Sequence, residues 1–272
     1  MLNSNGKLIS SFSEIQADFI KQLHTQFSYS EVLRFENNHI LFWELHYFRI
    51  IASLRRHRFE IPMNYTMEYL EAEIIKLINS QSTQSEAVLI RIQFLPYQKS
   101  IHFLMSSTIA KPLHSIESVE DYSLDLFKEV GIQANNLSNL STTNATLFTI
   151  GKRYAEENGL NDCVFLNDQK NLVETLQGSL YLLQGGAILT PDLNSGCQDF
   201  ALRSAFNEWL DKKQKSFQLI EKAVNPFELQ KSEELMVLSL KYGGQQIRQY
   251  RKTSYKSNKL QELFNSFVGN LY

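Results

Sequence analysis

NLVETLQGSLYLLQGGAILTPDL, residues 171–193, is the stretch whose reading decides the fold. It holds three short runs, 172–175, 179–183 and 187–190, each with the length and apolar content of a strand. Gly185-Gly186 stands between the last two as a turn pair, because the glycine spacing of a phosphate loop is absent. Thr190-Pro191 closes the last run in a turn. Glu174 is the carboxylate inside the first run, and taken alone it reads as a turn residue between strands.

Working outward, short strands alternate with helices. Upstream, residues 163–166 predict another strand, and 145–158 predict a helix closed by Gly159 just past its end. Residues 123–129 predict a strand, followed by an Asn/Ser/Thr-rich stretch, 135–144. Downstream, a helix over 199–213 has Asp199 as its N-cap and lysines in its last turn. Residues 235–240 read as a buried strand and 256–268 as a closing helix. Near the start, a turn precedes a short strand over 3–8. EVLRFENNHILF, 31–42, predicts a hairpin with Asn37-Asn38 at its tip. Residues 44–58 have helical apolar spacing with Pro62 beyond their end, and Thr66 is placed to cap a helix running to Asn79. Residues 87–95 and 101–107 alternate as paired strands. Residues 111–122 are polar and include Pro112. A domain boundary is placed there, giving a small α/β domain over 1–115 and a larger α+β domain over 119–272. Helices and short strands in two blocks, without an internal repeat, give the fold class α+β.

The chain has 272 residues and a formal net charge of −2, which argues against a nucleic-acid partner held by bulk electrostatics. No run of about 18 apolar residues exists to span a membrane. MLNSNGKLISSF at the N-terminus lacks the basic-then-apolar pattern of a secretory signal. Cys163 and Cys197 make no disulfide framework, so a reduced, cytoplasmic protein is expected. No Cys or His pair stands at ligand spacing, so no metal site is expected.

Val173, Glu174, Leu180, Tyr181, Gly186, Ile188, Thr190 and Pro191 fit a pattern of roughly G-x-V-x-E-x-x-x-x-N-[IL]-F followed by G-x-[IL]-x-T-P. In them the chain resembles the class IV aminotransferases. These are pyridoxal-phosphate (PLP) enzymes of fold type IV: branched-chain and D-amino-acid aminotransferases and aminodeoxychorismate lyases. ILFWELHYFRIIASLRRHRFEIP, 40–62, is similar to the family's H-x-x-R-[LM] helix, and the likeness covers nearly the whole chain. The resemblance implies a two-domain, D-amino-acid aminotransferase-like α+β architecture and a homodimer. It implies that Arg49 grips the cofactor phosphate, a task that suits a guanidinium fork. It places Glu174 beside the pyridine nitrogen, where a carboxylate keeps the ring an electron sink. Arg203 matches the arginine of L-x-G-I-T-R, and Arg91 a family arginine on a strand of the small domain.

The departures lie at the chemistry. Counted back from Gly159, the family's Schiff-base lysine falls at Leu140, or at Ser141 with one residue deleted; Asn144 and Ala155 also align in the ungapped register. Neither side chain has an amine to form the aldimine and move the proton, and no lysine occurs between Lys128 and Lys152. The G-I-T of the phosphate cup reads Phe200-Ala201-Leu202, which removes a glycine that allows close backbone approach. The later threonine and asparagine read Leu238 and Ser239, and the asparagine after the glutamate reads Ser179. The N-terminal motif N-R-G-x-x-Y-G-D-x-x-F-E keeps only Glu31. Its tyrosine is Thr25, and the segment gains helix-compatible residues.

The residues leave three readings. The first is a homologue without PLP chemistry that keeps the fold, and the homodimer, as a binding or partner protein with no cofactor. The second is an active PLP-dependent aminotransferase or aminodeoxychorismate lyase with a relocated lysine, Lys152 or Lys21, although Lys152 is expected to face solvent. The third is a PLP-independent enzyme or small-anion binder using Arg49 and Glu174. With its phosphate gone, a buried Arg49 needs a counter-charge, and Glu174 or a small anionic ligand is expected opposite it. His46 and His57 read as a packing or surface pair, with no nucleophile pattern beside them. Gly243-Gly244 reads as a turn, and RQYRKTSYKSNK, 248–259, as a solvated basic edge.

Overall fold

A computed structural model describes residues 1–271 except 16, 26–27, 82–84, 98–99, 142–145 and 215, with the backbone alone for 22–25. Asn144 and the side chain of Thr25 therefore lie outside the described residues. The chain forms two compact units: Met1–Pro112 with Leu140–Asn144, and Leu113–Asn139 with Ala145–Tyr272.

In chain order the first unit contains β1 (Leu2–Ser4), β2 (Lys7–Ile9), α1 (Ala17–Thr25), β3 (Tyr29–Glu36), β4 (His39–Ile40), α2 (Trp43–Arg56), α3 (Met67–Asn79), β5 (Ala87–Tyr97) and β6 (Ser100–Ala110). Its strands make one antiparallel sheet in the order β2-β1-β6-β5-β3-β4. Asn37 and Asn38 form the two-residue loop between β3 and β4 at φ 51° and 62°. Asparagine tolerates that left-handed region, and the tight hairpin turn requires it. Helical periodicity turns Ile50 and Leu54 of α2, and Leu70, Ile74 and Leu77 of α3, onto the sheet. There they meet Tyr29, Leu33, Ile90, Ile92 and Phe94. Alternate residues of a strand share a face, so Glu31 lies on the same side of β3 as Tyr29 and Leu33. The Thr66 hydroxyl caps α3 by accepting the Tyr69 N–H at 3.2 Å. α1 occupies the segment where the family motif is lost, and its Phe19 packs with Leu95, Tyr97 and Leu104.

The second unit contains β7 (Ser123–Ile132), α4 (Thr146–Glu157), β8 (Asp162–Asn167), β9 (Leu172–Thr175), β10 (Ser179–Gln184), β11 (Ala187–Pro191), α5 (Ala201–Lys213), β12 (Gln218–Lys222), α6 (Phe227–Lys231), β13 (Glu234–Ser239), β14 (Gly243–Ile247), β15 (Gln249–Tyr250), β16 (Thr253–Ser254) and α7 (Lys259–Gly269). Two five-stranded sheets result, β16-β15-β7-β8-β9 and β12-β11-β10-β13-β14. Parallel neighbours need a crossover, and α4 supplies it between β7 and β8, as α5 does between β11 and β12. Leu124, Leu126, Val164 and Leu166 of one sheet share a core with Leu180, Leu182, Leu235 and Val237 of the other. All three strands read from residues 171–193 are present, and their burial is nearly continuous because they are covered on both faces. Gly159 ends α4 at φ 65°. Gly178 permits a close approach: a Cβ there would stand 2.1 Å from the Leu238 carbonyl oxygen.

Three local readings are corrected. The N-cap of α5 is Phe200, without a side-chain cap; Asp199 accepts from the Ser204 hydroxyl at 2.9 Å instead. Residues 248–259 are not simply a solvated edge, because Tyr250 is buried in the core and the buried Tyr255 donates to the Leu229 carbonyl at 2.6 Å. Gly243-Gly244 opens strand β14 rather than serving only as a turn. Among the described residues, no helix is long and apolar enough to cross a membrane.

Candidate functional site

His46 and Arg49 stand three residues apart on α2, so they share a helix face. That face meets Glu31 of β3. His46 Nδ1 lies 2.7 Å from Glu31 Oε1, while Arg49 Nη1 and the Tyr29 hydroxyl both donate to Oε2. Arg49 Nη2 also donates to the Ser141 hydroxyl at 3.0 Å, and the Ser141 carbonyl accepts the Ser30 N–H at 3.1 Å. The cluster is nearly dry, with Glu31 2% and Arg49 9% exposed. Burial pushes the Glu31 carboxyl up, but the Arg49 charge and the His46 bond outweigh it and hold the group below its ordinary value. Sequence puts Glu174 or a small anion opposite Arg49; the structure puts Glu31 there, from the adjacent strand of the same unit. His46 is part of this ion cluster rather than a packing residue alone. Arg91, on β5, is exposed and reaches the Ser30 hydroxyl at 3.3 Å.

In the second unit Glu174 is buried on β9 and is not the exposed turn residue it resembles in isolation. Its carboxylate accepts the Gln198 N–H at 3.0 Å and the Gln198 side-chain amide at 3.3 Å. Arg203, in the first turn of α5, is buried; it donates to the Pro191 carbonyl at 2.8 Å and to Glu221 at 2.5 Å. It is thus no helix-surface charge. Glu221 and Gln198 carry no sequence signal, since β12 is not evident from composition and Gln198 sits in a loop. Leu238 is buried on β13 opposite Ser179 of β10. Cys163 and Cys197 are buried thiols that burial pushes up to about 12, so neither is a nucleophile near neutral pH.

At the two candidate lysine positions, Leu140 is a buried apolar side chain and Ser141 is the hydroxyl that Arg49 holds. Every lysine among the described residues is exposed, Lys152 and Lys21 included. Lys152 pairs with Glu156 on the outer face of α4.

The sequence profile of the family described as amino-transferase class IV matches residues 29–250. Solved structures share the fold at low identity. A branched-chain amino acid aminotransferase of Escherichia coli is 14% identical, with a TM-score of 0.86 over 98% of this chain and 93% of its own. A branched-chain aminotransferase of Thermoproteus uzoniensis, solved with norvaline, is 15% identical, with a TM-score of 0.84 over 99% and 94%. A putative 4-amino-4-deoxychorismate lyase of Legionella pneumophila is 15% identical, with a TM-score of 0.81 over 98% of each chain. No curated protein matches it in sequence. With the profile spanning most of its length and the fold shared throughout, the chain belongs to the class IV aminotransferase family.

Proposed function

We propose that this member of the family does no PLP chemistry and works by binding, as a partner protein that retains the family fold and pairs with a second copy of itself. The observation that carries the reading is the fate of residues 140–141. A buried leucine and an arginine-bound serine stand where the family resemblance calls for a lysine. The residues present do not fit PLP. The Arg49 guanidinium, which would face the phosphate, is already engaged by Glu31 and Ser141. The Leu238 side chain offers no donor where the family has threonine, and every described lysine is exposed. A Schiff-base amine needs a desolvated site that lowers its pKa, and an exposed lysine lacks one. This weighs against a relocated lysine. The Glu31–Arg49 pair weighs equally against a small-anion site at Arg49, because an incoming anion would have to displace a carboxylate that is covalently tethered nearby.

The test is spectroscopic. After incubation with excess PLP and dialysis, the protein is expected to keep no visible absorbance band, and borohydride treatment is expected to fix no cofactor to it. A retained band that vanishes when one lysine is replaced would reverse the reading and make the protein an enzyme.

A further inference from the structure

In the second unit, the core opens to solvent where β7, β8 and β15 meet the start of α6, in a cavity of about 420 Å³. That is within the size range of small-molecule sites. Leu126, Leu166 and the buried Tyr250 make an apolar floor. The rim carries Lys128, Lys170 and Arg251 with the carboxamides of Asn225 and Gln230, and no carboxylate among the described residues lines it. Phe227 stands on the same rim with 72% of its surface exposed.

Three observations set this opening apart from an ordinary charged surface. Arg251 is the cation already compensated, bound to Asp125 at 2.8 Å and lying over the Tyr250 ring. Lys128 and Lys170 make no ion pair among the described residues, so their charges remain available. Lys170 and Arg251 also occupy left-handed backbone positions, at φ 64° and 54°. Glycine or asparagine fills such positions at lower cost, so turn geometry alone does not select basic side chains there.

We propose that this cavity binds an organic anion. Its flat apolar body would rest on Leu126, Leu166, Tyr250 and Phe227, and its carboxylate or phosphate would meet Lys128 and Lys170. None of these residues belongs to the Glu31–Arg49 or Glu174 clusters, so the site stands whether or not the chain handles PLP.

The full-length protein is titrated with 2-naphthoate, following the probe's fluorescence, in low salt. A fragment of this size is expected to bind with a Kd on the order of 1 mM. The neutral analogue 2-naphthamide is expected to bind about tenfold more weakly, and raising the salt to about 200 mM should weaken 2-naphthoate several-fold, since exposed cations are screened. The double variant Lys128→Glu/Lys170→Glu, altered at exposed positions, should keep its melting temperature and lose about tenfold in affinity. Phe227→Ala should lose a few-fold. Absence of saturable binding up to about 10 mM, equal affinity for 2-naphthamide, or undiminished binding by the charge-reversed variant would each overturn the proposal.

Discussion

Glu31 accepts from three side chains, and its charge is tolerable in the core only because Arg49 faces it. Arg49→Met would strand the carboxylate and is expected to cost about 3–5 kcal/mol in urea denaturation at neutral pH. Adding Glu31→Gln to that variant should recover part of the loss, whereas additive losses would show that the two residues act independently. Because the Glu31 pKa is depressed in the folded state, its contribution is present above the ordinary carboxylate range and fades as pH falls below it. Asp162 behaves in the opposite sense. Burial pushes its carboxyl up to about 6 despite bonds from Tyr122, Cys163 and Leu176. The stability it lends is full below its unfolded pKa and is lost as pH rises toward 6. Over that window the loss is on the order of 3 kcal/mol, taking about 1.4 kcal/mol per pKa unit. Asp162→Asn should flatten this slope, since both backbone donors use Oδ1 and an amide oxygen can serve them. An unchanged slope between pH 4 and 6 would assign the effect elsewhere. Arg49 was legible only through the resemblance to the family's H-x-x-R-[LM] helix, since an arginine on a helix taken alone reads as a solvated charge. Its partner was not, because the pair joins residues 18 apart on two elements and no spacing rule links them.

At the level of elements, the strands of residues 171–193 were readable because covering on both faces demands apolar runs. β12, β14, β15 and β16 were not. QLIEK, GGQQI, QY and TS have little strand propensity of their own and become strands through their neighbours. Polar residues buried there find local partners: Gln245 accepts the Val119 N–H at 3.0 Å, and the Gln246 N–H donates to Ser118 at 2.7 Å. The tightest constraint on an element is Gly178, facing the backbone of β13. A carbonyl oxygen in a sheet ladder cannot step aside as a side-chain end can. Gly178→Ala should therefore separate β10 from β13 and lower stability by at least about 3 kcal/mol, or prevent folding. An alanine variant melting within a few degrees of the parent would refute that close approach.

For the whole molecule, the overall architecture was legible from the in-register motif. Homodimerisation is expected from the family resemblance, and light scattering at micromolar concentration should return twice the chain mass; a strict monomer would remove that part of the proposal. The segment Leu140–Asn144 belongs to the first unit although the chain on both sides of it belongs to the second. Through Ser141 it supplies partners to Arg49 and to the Ser30 N–H. This has a consequence for biosynthesis. A ribosome that has finished Pro112 has not yet made all of the first unit, and residues 113–139 must be translated before the missing piece appears. At about 5–20 residues per second that delay is roughly 1–5 s. During it Arg49 and Glu31 already exist on a chain that lacks Ser141, a window in which a nascent-chain chaperone has something to protect. A chain split after Pro112 would leave the first unit without Ser141, and with it the partner that Arg49 and the Ser30 N–H share.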